Sequence, residues 1–140
     1  MLLEKFGQKF TDEFGADPRK YPKCRLRMLD TIEKCRKILS ANSETTVNIE
    51  CLLEDEDLVA NMKRSDFEEM IAPLLSNFEN CLKGCLEASG IKKEDIHSIE
   101  MVGEGTRIPI IQETSKSVFG QDRVCRTLNS SEAVARGCAL

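Results

Sequence analysis

Glu33, Arg36, Lys37 and Ser40 are spaced three, one and three residues apart. At 3.6 residues per turn they fall on one face of a helix. A carboxylate, two cations and a hydroxyl on one face can hold a polar ligand, or can pair among themselves in solvent. What faces them decides between the two. A second signal is Val102-Gly103-Glu104-Gly105-Thr106, a Gly-x-Gly between an apolar run and a helical pattern. Glycines let the backbone approach a ligand closely, and the following helix offers unpaired N–H groups and a positive dipole end to phosphate. No Gly-Lys-Ser follows, so this is not a Walker loop, and the full dinucleotide fingerprint is absent. The ordinary alternative is a tight turn.

The other reactive groups read as structural. Arg19, Lys20, Lys23, Arg25 and Arg27 place five cations in nine residues, with only Tyr21 among them able to stack on a base. A solvated loop and helix start is expected there, and no nucleic acid. The seven cysteines, at 24, 35, 51, 81, 85, 125 and 138, have no regular spacing and no CxxC. Cys35, Cys51, Cys81 and Cys85 lie on apolar stripes and are expected to be buried or half-buried thiols. His97 is the lone histidine, so neither a zinc site nor Cys-His catalysis is expected. Glu54-Asp55-Glu56-Asp57 lacks the spaced oxygens, central glycine and distal Glu of a calcium loop, and reads as a solvated turn.

The elements that carry these groups follow from periodicity. Leu2, Leu3, Phe6, Phe10 and Phe14 form a helical stripe that Gly15 stops. Asp17-Pro18 marks a turn, and Pro22 opens a second helix with Met28, Leu29, Ile32, Cys35 and Leu39 inward. Val47, Ile49, Cys51 and Leu53, then Leu58, Ala60 and Met62, alternate as a β-hairpin with an acidic tip. Ser65 and Glu68 are spaced as a capping box for a long helix. Its stripe runs from Phe67 to Leu86, with Pro73 expected to bend or break it and Gly90 to end it. Ile96, Ile99, Met101 and Val102 suggest a buried strand, and Thr106 a cap for a helix with Pro109 in its first turn. A short strand near Val124 follows, then a helix over 133–140 with Asn129 and Glu132 as its capping box.

At 140 residues, 41% of them hydrophobic, the chain fits one domain, or one domain and part of another, with a modest core. It is too apolar for a disordered tail. Its net charge of −4 has the wrong sign for a general DNA-coating protein. No apolar run approaches the roughly 18 residues that cross a bilayer, so no membrane partner is expected. Met1-Leu2-Leu3-Glu4-Lys5 lacks a signal-peptide stretch, and the expected compartment is the cytoplasm.

Three segments go beyond generic pattern. Val102-Gly103-Glu104-Gly105-Thr106-Arg107-Ile108-Pro109 resembles the VGGxTRIP signature of the seventy-kilodalton heat-shock chaperones, members of the actin-like ATPase superfamily. Ser131-Glu132-Ala133-Val134-Ala135-Arg136-Gly137-Cys138-Ala139-Leu140 is similar to that family's DEAVA-x-G-A/C-A segment. Glu33 to Asn42 resembles its adenosine-binding helix. Leu39-Ser40-Ala41-Asn42, Asn48-Ile49-Glu50-Cys51, Lys93-Glu94-Asp95-Ile96 and the ending Arg136 to Leu140 point to the large, 110-kilodalton branch.

The resemblance implies an α+β chain: helices with a β-hairpin, the outer subdomain of lobe II of a nucleotide-binding domain, over 1–97. A partial α/β actin-like subdomain, the C-terminal part of the inner half of lobe II, follows over 98–140. It implies ATP or ADP in the parent, with Mg held mainly by parts outside this chain, and weak or regulatory hydrolysis there. The implied function is that of a co-chaperone and nucleotide exchange factor. Its partner would be a seventy-kilodalton chaperone, and regions outside the chain would bind unfolded clients. An ordinary folding chaperone, or an interaction module without nucleotide, are the alternatives. Carried over by residue, Glu33 and Ser40 would hydrogen-bond ribose or base, with Arg36 on the same face. Lys37 and Arg107 would sandwich adenine, and Gly103 and Gly105 would admit ribose and phosphate. Glu104 stands where the family has a second glycine, near the expected phosphates. Its unscreened repulsion at about 4 Å and an effective dielectric of 20 is on the order of 4 kcal/mol. The segment 98–140 is expected to be more mobile than 1–97 or to self-associate, because its strand resembles one from inside a sheet.

Overall fold

The computed structural model describes residues 1–129 and 132–140. Ser131, at the head of the DEAVA-like segment, lies outside the described residues. The chain packs as two units, Met1–Met70 and Ile71–Leu140. It is α+β, with five α-helices, three 3-10 turns and one two-stranded antiparallel sheet among the described residues.

In the first unit, α1 (Leu2–Phe14) buries Phe6 and Phe10, and Phe10 packs on Phe14 with ring centroids 4.7 Å apart. Gly15 ends it at φ 77°, in the left-handed region that glycine adopts without a Cβ penalty. Asp17 caps a 3-10 turn at Pro18–Lys20 by accepting the Arg19 N–H. α2 (Pro22–Leu39) has proline in its first turn and buries Cys24, Met28, Cys35 and Leu39. Leu29, expected inside, is exposed, because the buried stripe runs through Cys24 and Met28 instead.

β1 (Glu44–Leu53) and β2 (Glu56–Lys63) form the expected hairpin. Val47, Ile49, Leu58, Ala60 and Met62 face the core. Glu54 and Asp55 form the acidic tip, both at positive φ, which matches the right-handed twist of a two-residue hairpin. The alternation of β1 fails after Ile49. A register shift puts Cys51 at φ 44° and turns Leu52 inward. The Asp57 carboxylate accepts the Cys51 N–H at 2.7 Å and fixes the irregularity. Cys51 is therefore exposed, contrary to its place in the sequence pattern.

α3 (Arg64–Ser89) leaves β2 directly. Ser65 lies inside the helix with its hydroxyl on Asp66, so it is not the cap that the spacing suggested. The start is fixed instead by Arg64, which donates to the Leu39 and Asn42 carbonyls at 2.8 and 2.9 Å. Pro73 does not break the helix, and Gly90 follows its end at φ 66°. Of its long apolar stripe only Phe67 is buried. Cys81 and Cys85 are exposed, because this half of the helix has few neighbours to cover it.

In the second unit the expected strand over 96–102 is reduced to one parallel bridge, Glu100 to Cys125, closed by hydrogen bonds of 2.7 and 3.1 Å. Met101 is buried while Val102 is exposed. α4 (Pro109–Phe119) buries Ser115 and Val118. Its cap position is Ile108, not Thr106, whose hydroxyl donates to the Gly103 carbonyl. α5 (Ala133–Cys138) is shorter than expected and has Glu132 at its cap position, with the Glu132 carboxylate bound to Arg136 rather than to the backbone. No helix of the described residues is long and apolar enough to cross a membrane.

Candidate functional site

The last turns of α2 present the first patch. Arg36 forms a two-pronged pair with Glu33, Nε to Oε2 at 3.0 Å and Nη2 to Oε1 at 2.6 Å. Lys37 approaches the same carboxylate at 3.9 Å. The Arg36 hydrogen bond, followed by the charges of Arg36 and Lys37, holds the Glu33 carboxyl below its ordinary value against the opposing effect of partial burial. Ser40 donates its hydroxyl to the Lys37 carbonyl at 2.6 Å, closing the helix end. Buried Cys35 and Leu39 anchor the opposite face, so the four polar residues turn together away from the core. The guanidinium of Arg36 is the most covered of the charged groups, while Glu33 and Lys37 are about half exposed.

The loop Gly103–Arg107 of the second unit presents the other patch. Gly103 sits at φ 96°, a conformation that a side chain strains. Gly105 needs no such conformation, and a Cβ there would meet open space. Glu104–Arg107 form one 3-10 turn, and Arg107 pairs with Glu104 at 3.3 Å. Gln112 of α4 holds the loop by donating to the Thr106 carbonyl at 2.8 Å. Beside the loop lies an open apolar groove of about 630 Å³, bounded by Phe78, Leu82, Ile99, Met101 and Phe119. Each patch thus gathers its own four expected residues on one short segment.

Two of the five cations in the basic cluster are used within the fold. Arg19 pairs with Asp17 at 2.8 Å and Glu4 at 2.7 Å, and Arg27 donates to the Glu50 and Cys51 carbonyls. Sequence reasoning missed Arg64 and Asp57 as structural anchors, because a single polar residue carries no periodic signal.

Comparison with known proteins agrees with these motifs. The model of the family described as Hsp70 protein matches residues 1–140. The chain is similar to the 97 kDa heat shock protein of Mesocentrotus franciscanus, 43% identical over 141 residues, covering 100% of this chain and 16% of that protein. It is 39% identical over 140 residues to heat shock 70 kDa protein 14 of Arabidopsis thaliana, covering 100% of this chain and 17% of the relative. Heat shock 70 kDa protein 4L of Homo sapiens is 40% identical over 140 residues, covering 99% and 17%. The chain thus spans about a sixth of the length of these relatives. With the signature segments carried in order and the family model matching every residue, the chain belongs to the Hsp70 family.

Proposed function

We propose that this chain is part of the ATP/ADP-binding domain of a large Hsp70-family chaperone, acting in the cytoplasm as co-chaperone and nucleotide exchange factor for a seventy-kilodalton chaperone. In this reading residues 1–97 are the outer subdomain of lobe II and 98–140 the C-terminal part of its inner subdomain. The observation that carries it is the polar face of α2. Glu33, Arg36, Lys37 and Ser40 share one half-buried to exposed face, and Arg36 is already ordered by Glu33. A preordered face loses less side-chain freedom when a ligand arrives.

Glu33 and Ser40 would hydrogen-bond ribose or base. Lys37 would stack on adenine, the role also proposed for Arg107 within its own patch, and Gly105 would leave room for ribose and phosphate. The carboxylates present do not suit magnesium, since Glu33 and Glu104 are already paired with guanidinium groups. Among the described residues no group of three potential metal ligands is assembled. The metal is assigned to other parts of the parent. Phosphoryl transfer needs positioned groups from both lobes, so the chain by itself is not an ATPase. The apolar groove beside 98–102 supports self-association of the isolated chain, which sedimentation at several concentrations would reveal.

Calorimetric titration with ADP tests the reading. Binding in the millimolar range, about −4 kcal/mol, is expected for a site holding half its contacts. Micromolar binding would contradict the partial-site assignment. Absence of binding at tens of millimolar would favour an interaction module without nucleotide.

A further inference from the structure

Cys81 and Cys85 stand four residues apart on α3, with Leu82, Lys83 and Gly84 between them. Both are exposed. The buried thiols are already engaged, Cys24 with the Leu52 carbonyl at 3.0 Å and Cys35 with that of Thr46 at 3.7 Å. Residues four apart on a helix are neighbours, with Cβ atoms about 5–6 Å apart. A disulfide needs Cβ atoms about 3.5–4.5 Å apart, so an intact turn keeps these two sulfurs from bonding directly. A single larger atom that accepts both sulfurs fits the gap. Zinc does not suit it, because it needs three or four converging protein ligands, and no such group is assembled among the described residues. Glu79, a nearby carboxylate, is held by Lys83 at 2.6 Å.

We propose that Cys81 and Cys85 form a dithiol site for a trivalent arsenical, a soft centre that takes two thiolates and keeps its own third substituent. The reaction is a condensation without redox change. The arsenoxide oxygen leaves as water with the two thiol protons, two As–S bonds form, and arsenic remains trivalent. Gly84 lies inside the chelated turn, where a Cβ would meet nothing within 4 Å. The turn is therefore open to the small adjustment that closure needs.

The test is mass spectrometry of the full chain with phenylarsine oxide. One adduct is expected, of reagent mass less one water, that survives excess monothiol and is removed by a dithiol. Cys81→Ser and Cys85→Ser should each weaken binding about 100-fold or more, as expected when a second tethered ligand is lost. Cys51→Ser and Cys138→Ser, which alter exposed thiols elsewhere, should leave it unchanged. Retention of the resistant adduct in Cys81→Ser, or its removal from the unaltered chain by monothiol, would overturn the assignment.

Discussion

Glu104 and Arg107 pair across a single 3-10 turn, carboxylate to guanidinium at 3.3 Å. This relationship changes what the unusual carboxylate in the loop means. Its charge is partly met within the loop, while the guanidinium proposed to cover adenine is partly occupied. Both side chains are substantially exposed, at 41% and 53%, so solvent reduces the pair and any phosphate repulsion far below the unscreened figure.

Glu104→Gly should remove the repulsion and release Arg107 together. ADP binding should tighten about threefold to tenfold, or about 0.6–1.4 kcal/mol. Parallel calorimetric titrations of the two proteins measure this. Equal affinities would mean that the carboxylate is not near the phosphates.

The two loop glycines should behave differently when replaced by alanine. Gly103→Ala forces a side chain into a positive-φ conformation that is essentially confined to glycine and should cost about 1–3 kcal/mol in thermal or denaturant unfolding. Gly105→Ala meets open space and should leave stability within about 0.5 kcal/mol. It should still weaken ADP, since the space it fills is the proposed ligand's. A fold-neutral Gly105→Ala with unchanged ADP affinity would remove this loop from the site.

Much of this was legible in the sequence where periodicity was clean. Phe6 and Phe10 on α1, and Leu58, Ala60 and Met62 on β2, are buried as their spacing requires. The failures have local causes. At Cys51 a bulge reverses the facing of the strand, and a bulge has no signature in the alternation of apolar residues. Cys81 and Cys85 sit on an apolar stripe, but burial needs a covering surface, which a stripe alone does not reveal. Ser65 had the spacing of a capping box, yet Arg64 fixed the helix start through distant carbonyls. The α2 face and the glycine loop were legible because helix spacing and a signature segment are local properties. The 98–102 segment was not, since a strand needs partners and Cys125 supplies only one bridge.

Arg19 crosses α1 at Gly7, where an added Cβ would overlap its Cδ and lie 2.6 Å from its Cγ. Gly7→Ala gains helix propensity, about 0.5–1 kcal/mol, but must displace a side chain held by Asp17 and Glu4. Overpacking of about 1–3 kcal/mol should prevail, leaving a net loss of about 1 kcal/mol. A double-mutant cycle with Arg19→Ala checks it. Alanine at position 7 should become neutral or stabilising once Arg19 is shortened. An unchanged penalty would show that the crowding comes from elsewhere.

Acid should act through Asp17 and Glu33. Asp17 is held below the ordinary carboxylate range chiefly by the Arg19 hydrogen bond, and Glu33 chiefly by that of Arg36. Each folded-state value lies below its unfolded value, so each contribution is complete above the unfolded value. It is lost as pH falls through the folded one. Melting temperature should be level to about pH 5 and decline below about pH 4. Asp17→Asn and Glu33→Gln should each flatten the decline and lower the plateau. A plateau and slope unchanged in both would show that neither pair contributes to stability.

The proposed nucleotide contact is the polar face of α2. An NMR titration of the full chain with ADP, followed through its amide resonances, tests this most directly. Glu33, Arg36, Lys37 and Ser40 should shift together, along curves sharing one millimolar midpoint. Amides of α2 that stay unshifted at tens of millimolar ADP, or shifts with unrelated midpoints across this face, would contradict it.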